Sequence, residues 1–225
     1  MAIRLMTIDD VPKVMGYVVE QTWDDGFHKY FFPGKWEHPV AYRRWWTQYV
    51  RNLVLKPGVY VYVLEEDSRI LGWVTLVPGD NPPPTGLDLS KSSPREIRLR
   101  KYYAHRDSIM EKLRPNRAVK GSRLDYFRKV AMPELQKTVL FGEDSHHWLL
   151  VELFVDPELQ PSEAEDVWKQ LLDAGRKQCQ ADGVKFWAGV EESLVEKFKE
   201  HGFEEKSWMV NGNVKAAAMK LETSE

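Results

Sequence analysis

The sequence predicts a mixed α/β sandwich, and three observations predict it. Val59-Tyr60-Val61-Tyr62-Val63-Leu64 and Ile70-Leu71-Gly72-Trp73-Val74-Thr75-Leu76-Val77 are β-branched and aromatic runs separated by Asp67-Ser68, which reads as an antiparallel hairpin. Two strand–helix–strand passages follow from Trp148 onward. The chain has 225 residues, 43% of them hydrophobic, enough for a sizeable core in one domain. A composition of 29% charged and 12% aromatic residues excludes collagen, low-complexity disorder and a disulfide scaffold.

Residues 2–6 alternate weakly and predict a first strand. Thr7-Ile8-Asp9-Asp10 has capping-box spacing and starts a helix running to about Thr22. The stretch from Trp23 to Pro39 is aromatic and reads as irregular. Pro39 opens a helix over Val40 to Leu55, which Lys56-Pro57-Gly58 ends before the hairpin. Pro78 to Pro94, with Pro82-Pro83-Pro84, predicts a loop, and residues 95–138 predict helix in two or three pieces broken near Pro115-Asn116 and Pro133. Trp148 to Val155 predicts a buried strand stopped by Asp156-Pro157. A helix from about Glu163 to Ala181, a strand at Val184–Val190, a helix at Ser193–His201 and a final strand pair around Asn211-Gly212 complete the chain. No internal repeat is visible.

The net charge of −2 hides an asymmetry. Residues 91–129 hold thirteen Lys or Arg against four Asp or Glu, whereas Val151 to Glu205 holds fourteen acids and six bases. A basic arm for nucleic acid or another anion is one reading. A basic insert folded against its own acidic partner, with solvated helix faces, is the preferred one. The lone Cys179 excludes an internal disulfide and suggests a reducing, cytoplasmic setting. No apolar run has the length of a membrane helix, and the N-terminus lacks a secretory h-region, so no membrane partner is expected.

The order of elements resembles the GNAT superfamily of N-acetyltransferases over nearly the whole chain. The anchors are Leu153-Phe154-Val155-Asp156-Pro157-Glu158-Leu159-Gln160, similar to the end of the family's fourth strand, and Leu194 to Phe203 with His201-Gly202-Phe203. The hairpin segment Leu71-Gly72-Trp73 also fits. The resemblance implies a mixed, mostly antiparallel central sheet flanked by helices. It makes 1–225 one domain with 78–147 as a basic loop-and-helix insertion before the fourth strand. That insert and the stretch Phe32-Pro33-Gly34 resemble fungal members.

The resemblance further implies acetyl-CoA or another acyl-CoA as co-substrate, passing Val155 and Gln160. In the family a Gln/Arg-x-x-Gly-x-Gly/Ala loop opens the next helix, where bare backbone N–H groups cradle the pyrophosphate. Here the run is Gln160-Pro161-Ser162-Glu163-Ala164-Glu165-Asp166, with glutamates at both glycine positions. Pro161 has no N–H, and Ser162 and Glu165 have capping-box spacing that would satisfy the helix start internally. Lys169, Arg176 or the insert would have to supply the missing positive charge. The family's usual tyrosine acid, four residues before Gly-Phe, is matched by Phe198.

Glu152 is the only charged residue of its strand, and alternation would place it on one face with Leu150 and Phe154. A carboxyl among apolar neighbours has a raised pKa, which suits proton transfer. His28 is the second catalytic candidate, because the aromatic segment around it should cover the cleft. His146-His147 read as a loop pair before the strand. Trp23, Phe27, Trp36, Trp73, Phe154 and Phe198 are the candidate substrate walls, suited to a planar or apolar small molecule. No metal-ligand spacing appears, and no metal site is expected. These residues predict a small-molecule enzyme on an acyltransferase-like fold with a compromised acetyl-CoA site, performing unusual acyl transfer or CoA-independent proton transfer. The alternatives are an ordinary acetyl-CoA-dependent N-acetyltransferase and a non-catalytic binding module.

Overall fold

A computed structural model describes residues 1–79, 93–126, 129, 146–211 and 214–221. The first half runs β1 (Ala2–Leu5), α1 (Val11–Gln21), α2 (Gly26–Phe31), α3 (Pro39–Leu55), β2 (Tyr60–Glu66), β3 (Arg69–Pro78), α4 (Pro94–Leu113) and α5 (Gly121–Tyr126). The second runs β4 (His147–Val155), α6 (Pro161–Asp182), β5 (Lys185–Glu191), α7 (Val195–Glu200), β6 (Phe203–Asn211) and β7 (Val214–Leu221). The strands form one seven-stranded sheet in the order β1-β2-β3-β4-β5-β7-β6. Among the described residues only β4 and β5 pair in parallel, joined by α6 as the crossover.

Each predicted turn has its physical cause on view. Asp67 and Ser68 take positive φ of 47° and 68°, the left-handed pair that lets a two-residue turn follow the twist of β2 and β3. Before α1, a short 3-10 turn is held by Asp10, whose buried carboxylate accepts from Arg4 at 2.7 Å and from the Thr7 N–H at 2.8 Å. Gly183, at φ 65°, ends α6 in the left-handed cap that glycine adopts without strain.

The sheet carries a core on each face. Val167, Leu171 and Leu172 of α6 pack on Leu64, Val74, Leu76, Trp148 and Leu150. On the other face Val14 and Val18 of α1, with Tyr42, Trp46 and Val50 of α3, pack on Val61, Val63 and Trp73. The aromatic stretch predicted as irregular contains α2. Asp25 caps it by accepting the His28 N–H at 2.7 Å, and its rings are buried by neighbouring aromatics rather than by a periodic stripe.

In the described part of the basic insert, α4 has no buried residue and is fastened to α3 through Arg51 with Asp107 and through Arg100 to the Leu55 carbonyl at 2.9 Å. Arg123 reaches the Tyr30 carbonyl at 2.8 Å, tying α5 to α2. Pro133 and the Pro82–Pro84 run lie outside the described residues, whereas Pro78 and His147 at the edges of the predicted insertion are strand residues. Among the described residues no helix is long and apolar enough to cross a membrane.

Candidate active site

The site begins with a fault in the sheet. Along β3 and β4, Thr75 faces Glu152 but the next pair is Leu76 with Leu150, so Val151 is the extra residue of a β-bulge. The inserted residue shifts the side-chain alternation and corrects the sequence reading. Leu150 stays with the α6 core, while Glu152 and Phe154 turn to the face covered by α1 and α3.

The β4–β5 ladder ends at Leu150 and Ala188. Beyond it β4 continues against β3, and β5 continues against β7 as far as Glu191. The outer halves of the parallel pair therefore part, and Glu152 stands where they divide.

The half-buried Glu152 carboxyl is enclosed by protein atoms while the residue keeps some solvent contact. Burial pushes its pKa up from the ordinary 4.5 to about 7, against the opposing effect of hydrogen bonds from Tyr49 and Thr75. The Thr75 hydroxyl donates at 3.1 Å. The Trp73 indole N–H also lies against the carboxyl, but it finds no hydrogen-bond partner of good geometry among the described residues.

Aromatic rings wall this carboxyl. The Trp73 and Phe154 rings lie 4.6 Å apart, and Trp46 crosses Phe154 edge-on at 5.8 Å and Tyr49 at 5.6 Å. Trp46 also lies 5.2 Å from the His28 ring, which is stacked on Phe32 at 5.9 Å. Thus His28 of α2 and Phe154 of β4 border the same indole from different elements. His28 Nδ1 is bonded to Asp25 at 2.7 Å. The Asp25 carboxyl is in turn hydrogen-bonded to Glu191 at the end of β5. His28 lowers the Asp25 pKa, while burial and the neighbouring Asp25 raise that of Glu191.

The remaining predicted walls divide. Phe27 packs on Phe31 at 4.5 Å and on His28 at 5.3 Å, so it belongs to the same aromatic layer. Trp23 meets Trp36 edge-on at 4.7 Å, and Trp36 is 54% exposed, so this pair forms the outer rim. Beneath it the fully buried Lys35 donates to the Thr22 carbonyl at 3.0 Å and holds the end of α1. Phe198 is not part of this layer. It is buried on the opposite face between Trp168 and Phe203, because the short α7 must bury its apolar side against α6. Asp25, Glu191, Tyr49 and Thr75 escaped the sequence reading; Asp25 was detectable as a cap three residues before His28, and Thr75 as the polar residue in an apolar strand.

The start of α6 also differs from expectation. Gln160, not Ser162, is the cap residue, and its N–H donates to Glu163 at 3.1 Å. Pro161 occupies the first helical position, where its missing N–H costs the helix nothing. Glu165 instead bridges to α7, 2.9 Å from Lys197 and 2.9 Å from His201. Arg176 is engaged by the His201 carbonyl and by Asp173 at 3.2 Å. Val155, the other predicted coenzyme contact, gives its carbonyl to Gln21.

An open cleft of about 400 Å3, lined by Lys13, Tyr17, Ser68, Arg69, Ile70 and Asp156 among others, contains neither Glu152 nor His28. Its Tyr17 wall touches Trp73 at 5.5 Å, so it adjoins the aromatic layer from outside. Among the described residues no cluster of metal-binding side chains occurs.

No protein-family model and no curated protein matches the sequence. Solved structures do match. An acetyltransferase from Corynebacterium glutamicum, described as histone acetyltransferase HPA2 and related acetyltransferase, superposes with a TM-score of 0.60 at 13% identity, over 100% of this chain and 97% of that one. The Drosophila melanogaster polyamine N-acetyltransferase, described as forming N-acetylagmatine, gives 0.60 at 9% identity, over 97% of each chain. A GNAT-family acetyltransferase from Streptococcus pneumoniae gives 0.50 at 10% identity, over 97% and 96%. The chain has the GNAT acetyltransferase fold.

Proposed function

We propose that the protein is a small-molecule enzyme that uses Glu152 as its general acid–base, on an acyltransferase fold whose coenzyme phosphate cradle has been lost. The observation that carries this reading is the enclosed Glu152 carboxyl at the parting of β4 and β5, with a pKa near 7. A carboxyl half-protonated near neutrality both accepts and returns a proton, and the aromatic walls keep water from levelling its strength. Trp46, Phe154 and Trp73 orient a planar substrate, while Tyr49 and Thr75 hold the carboxyl in place.

The residues at the start of α6 do not fit a pyrophosphate. Pro161 offers no donor, the Gln160 N–H is taken by Glu163, and the Ala164 N–H is bonded within the helix to Gln160 at 2.9 Å. Glu163 and Glu165 would add like charge at the phosphates. A second reading, an ordinary acetyl-CoA-dependent N-acetyltransferase, is favoured by one observation: Lys197 and His201 stand beside this helix start and would become available if Glu165 let them go.

The test uses 5-nitrobenzisoxazole, a neutral planar probe that opens when a base removes its C–H proton. The N–O bond breaks, the C=N becomes a nitrile, and the oxygen is left as a coloured phenolate on the same ring. The expected rate rises with pH through about 7 and levels off, and Glu152→Gln lowers it about 100-fold. A rate no better than free acetate, or one untouched by Glu152→Gln, overturns the reading.

A further inference from the structure

Where the basic insert meets α3 it meets more positive charge. A cleft of about 250 Å3 lies between the two helices, lined by Arg44, Thr47, Gln48 and Arg51 of α3 and by Arg106 and Asp107 of α4, among others. Three guanidiniums thus share the cleft with one carboxylate, and two positive charges are left uncompensated. Asp107 is divided between two of them: it pairs with Arg51 and lies 3.4 Å from Arg106. The next acid along this face of α4, Glu111, does not line the cleft and accepts the Asn116 N–H at 2.9 Å. Repulsion would part the three cations, yet each is fastened. The Tyr103 ring holds Arg51 at 4.2 Å and Arg106 at 4.7 Å from its centre, and the Arg114 carbonyl holds Arg44. The buried atoms point the same way. Arg51 is 4% exposed, but its Nε finds no hydrogen-bond partner among the described residues, and neither does the buried Nε of Arg44. A buried guanidinium N–H without an acceptor is costly and calls for an ion or a water.

We propose that this cleft binds a phosphate group, free or carried by a small organic molecule, which bridges α3 and α4. A phosphate monoester carries close to two negative charges at neutral pH, which matches the charge left over by Asp107. A carboxylate ligand would neutralise only half of it. Phosphate oxygens accept from the paired N–H groups of a guanidinium, a recognition for which arginine is suited and lysine is not. Arg44 and Arg51 stand two turns apart on one face of α3, with Gln48 between them as a neutral donor, and Arg106 comes from the opposite wall. The Thr47 hydroxyl is already spent on the Arg43 carbonyl at 2.9 Å. A cleft of this volume takes one phosphorylated small molecule, whereas a nucleic-acid strand needs an extended basic track. Binding would also fasten α4, which buries no residue of its own, onto α3. None of the lining residues bonds to Glu152, so the site is separate from the one proposed for acid–base chemistry.

The experiment is calorimetry of the full chain at physiological salt with four probes: inorganic phosphate, glycerol 3-phosphate, acetate and a short single-stranded oligouridylate. At least one of the two phosphates should bind at one site per chain with a Kd below about 1 mM, raise Tm and bind more tightly than acetate. Arg106→Gln and Arg44→Gln should each weaken that binding about 10-fold. Asp107→Asn should tighten it, because the competing negative charge goes while an acceptor for Arg51 stays. Lys101→Gln, exposed on α4 outside the cleft, should leave it unchanged. Thermal unfolding of each ligand-free variant checks the fold, and Arg106→Gln with Asp107→Asn decides the matter should Arg44→Gln fail to fold. Tighter binding of glycerol 3-phosphate names an organic phosphate as the occupant, and tighter binding of inorganic phosphate names the free ion; both support the site. Absence of saturable binding by both phosphates overturns it. So do acetate binding of equal strength, equal losses in Lys101→Gln and Arg106→Gln, or tighter binding of the oligouridylate than of either phosphate.

Discussion

Replacing Glu152 by glutamine should make the protein more stable at pH 8 and leave it unchanged near pH 4. The carboxyl has an ordinary pKa of 4.5 in the unfolded chain and about 7 in the fold, raised first by burial. The folded state therefore binds the proton more tightly, and its full stability is present below about 4.5. As pH rises through 4.5 the unfolded chain ionises freely while the fold resists, so stability falls until about 7 and is constant above. At about 1.36 kcal/mol per pH unit, the interval amounts to about 3 kcal/mol. The glutamine side chain occupies similar volume, accepts the Thr75 and Tyr49 hydrogen bonds and does not titrate. Urea unfolding of both proteins at pH 4.5, 6 and 8 isolates the group, because every other titration cancels in the difference. The gain at pH 8 should approach 3 kcal/mol, or about 6–12 °C in Tm for a chain of this size. A difference independent of pH, or a loss at pH 8, would refute the burial argument.

The wild type should bind acetyl-CoA with a Kd of about 1 mM or weaker, since a helix start with a proline at its first position and glutamates at both glycine positions retains at most about −4 kcal/mol. Replacing both Glu163 and Glu165 with glycine should tighten binding measurably by calorimetry, while the weakened cap costs about 1 kcal/mol of stability. A low-micromolar wild-type Kd promotes the acetyltransferase reading. Gly72→Ala should lower stability by about 1–3 kcal/mol, because its Cβ would lie 2.6 Å from the Phe154 carbonyl oxygen, a backbone atom that cannot swing away. An unchanged Tm would show that β3 and β4 have slack at this crossing. Asp10→Asn should remove part of the stability above pH 4 that Arg4 confers by holding this carboxyl well below the usual range, and the acid limb of the unfolding curve should flatten.

The sequence made the sheet legible where local chemistry is strong. The Asp67-Ser68 turn, the β-branched arms around it and the Pro39 helix start each have one physical solution. The bulge at Val151 did not show, because Trp148 to Val155 is apolar at every position but Glu152 and has no alternation to shift. At the start of α6 the sequence showed the Ser162–Glu165 spacing, whereas the structure caps with Gln160 and Glu163. The proline at the first helical position decides between them. Glu152 was legible as a lone charge in an apolar strand. Its neighbours were not, since Tyr49 reaches it from α3 and Glu191 reaches Asp25 from the end of β5. Contacts at such sequence separation are fixed by topology and carry no local signal.

The most direct measurement is the titration of the Glu152 carboxyl itself, by carbon NMR of protein labelled at the glutamate side-chain carboxyl carbon, with the signal assigned by its loss in Glu152→Gln. A midpoint near 7 is the result that burial behind the aromatic wall requires. A midpoint near 4.5 would mean that water reaches the carboxyl freely, and the acid–base role proposed for this strand would fall with it.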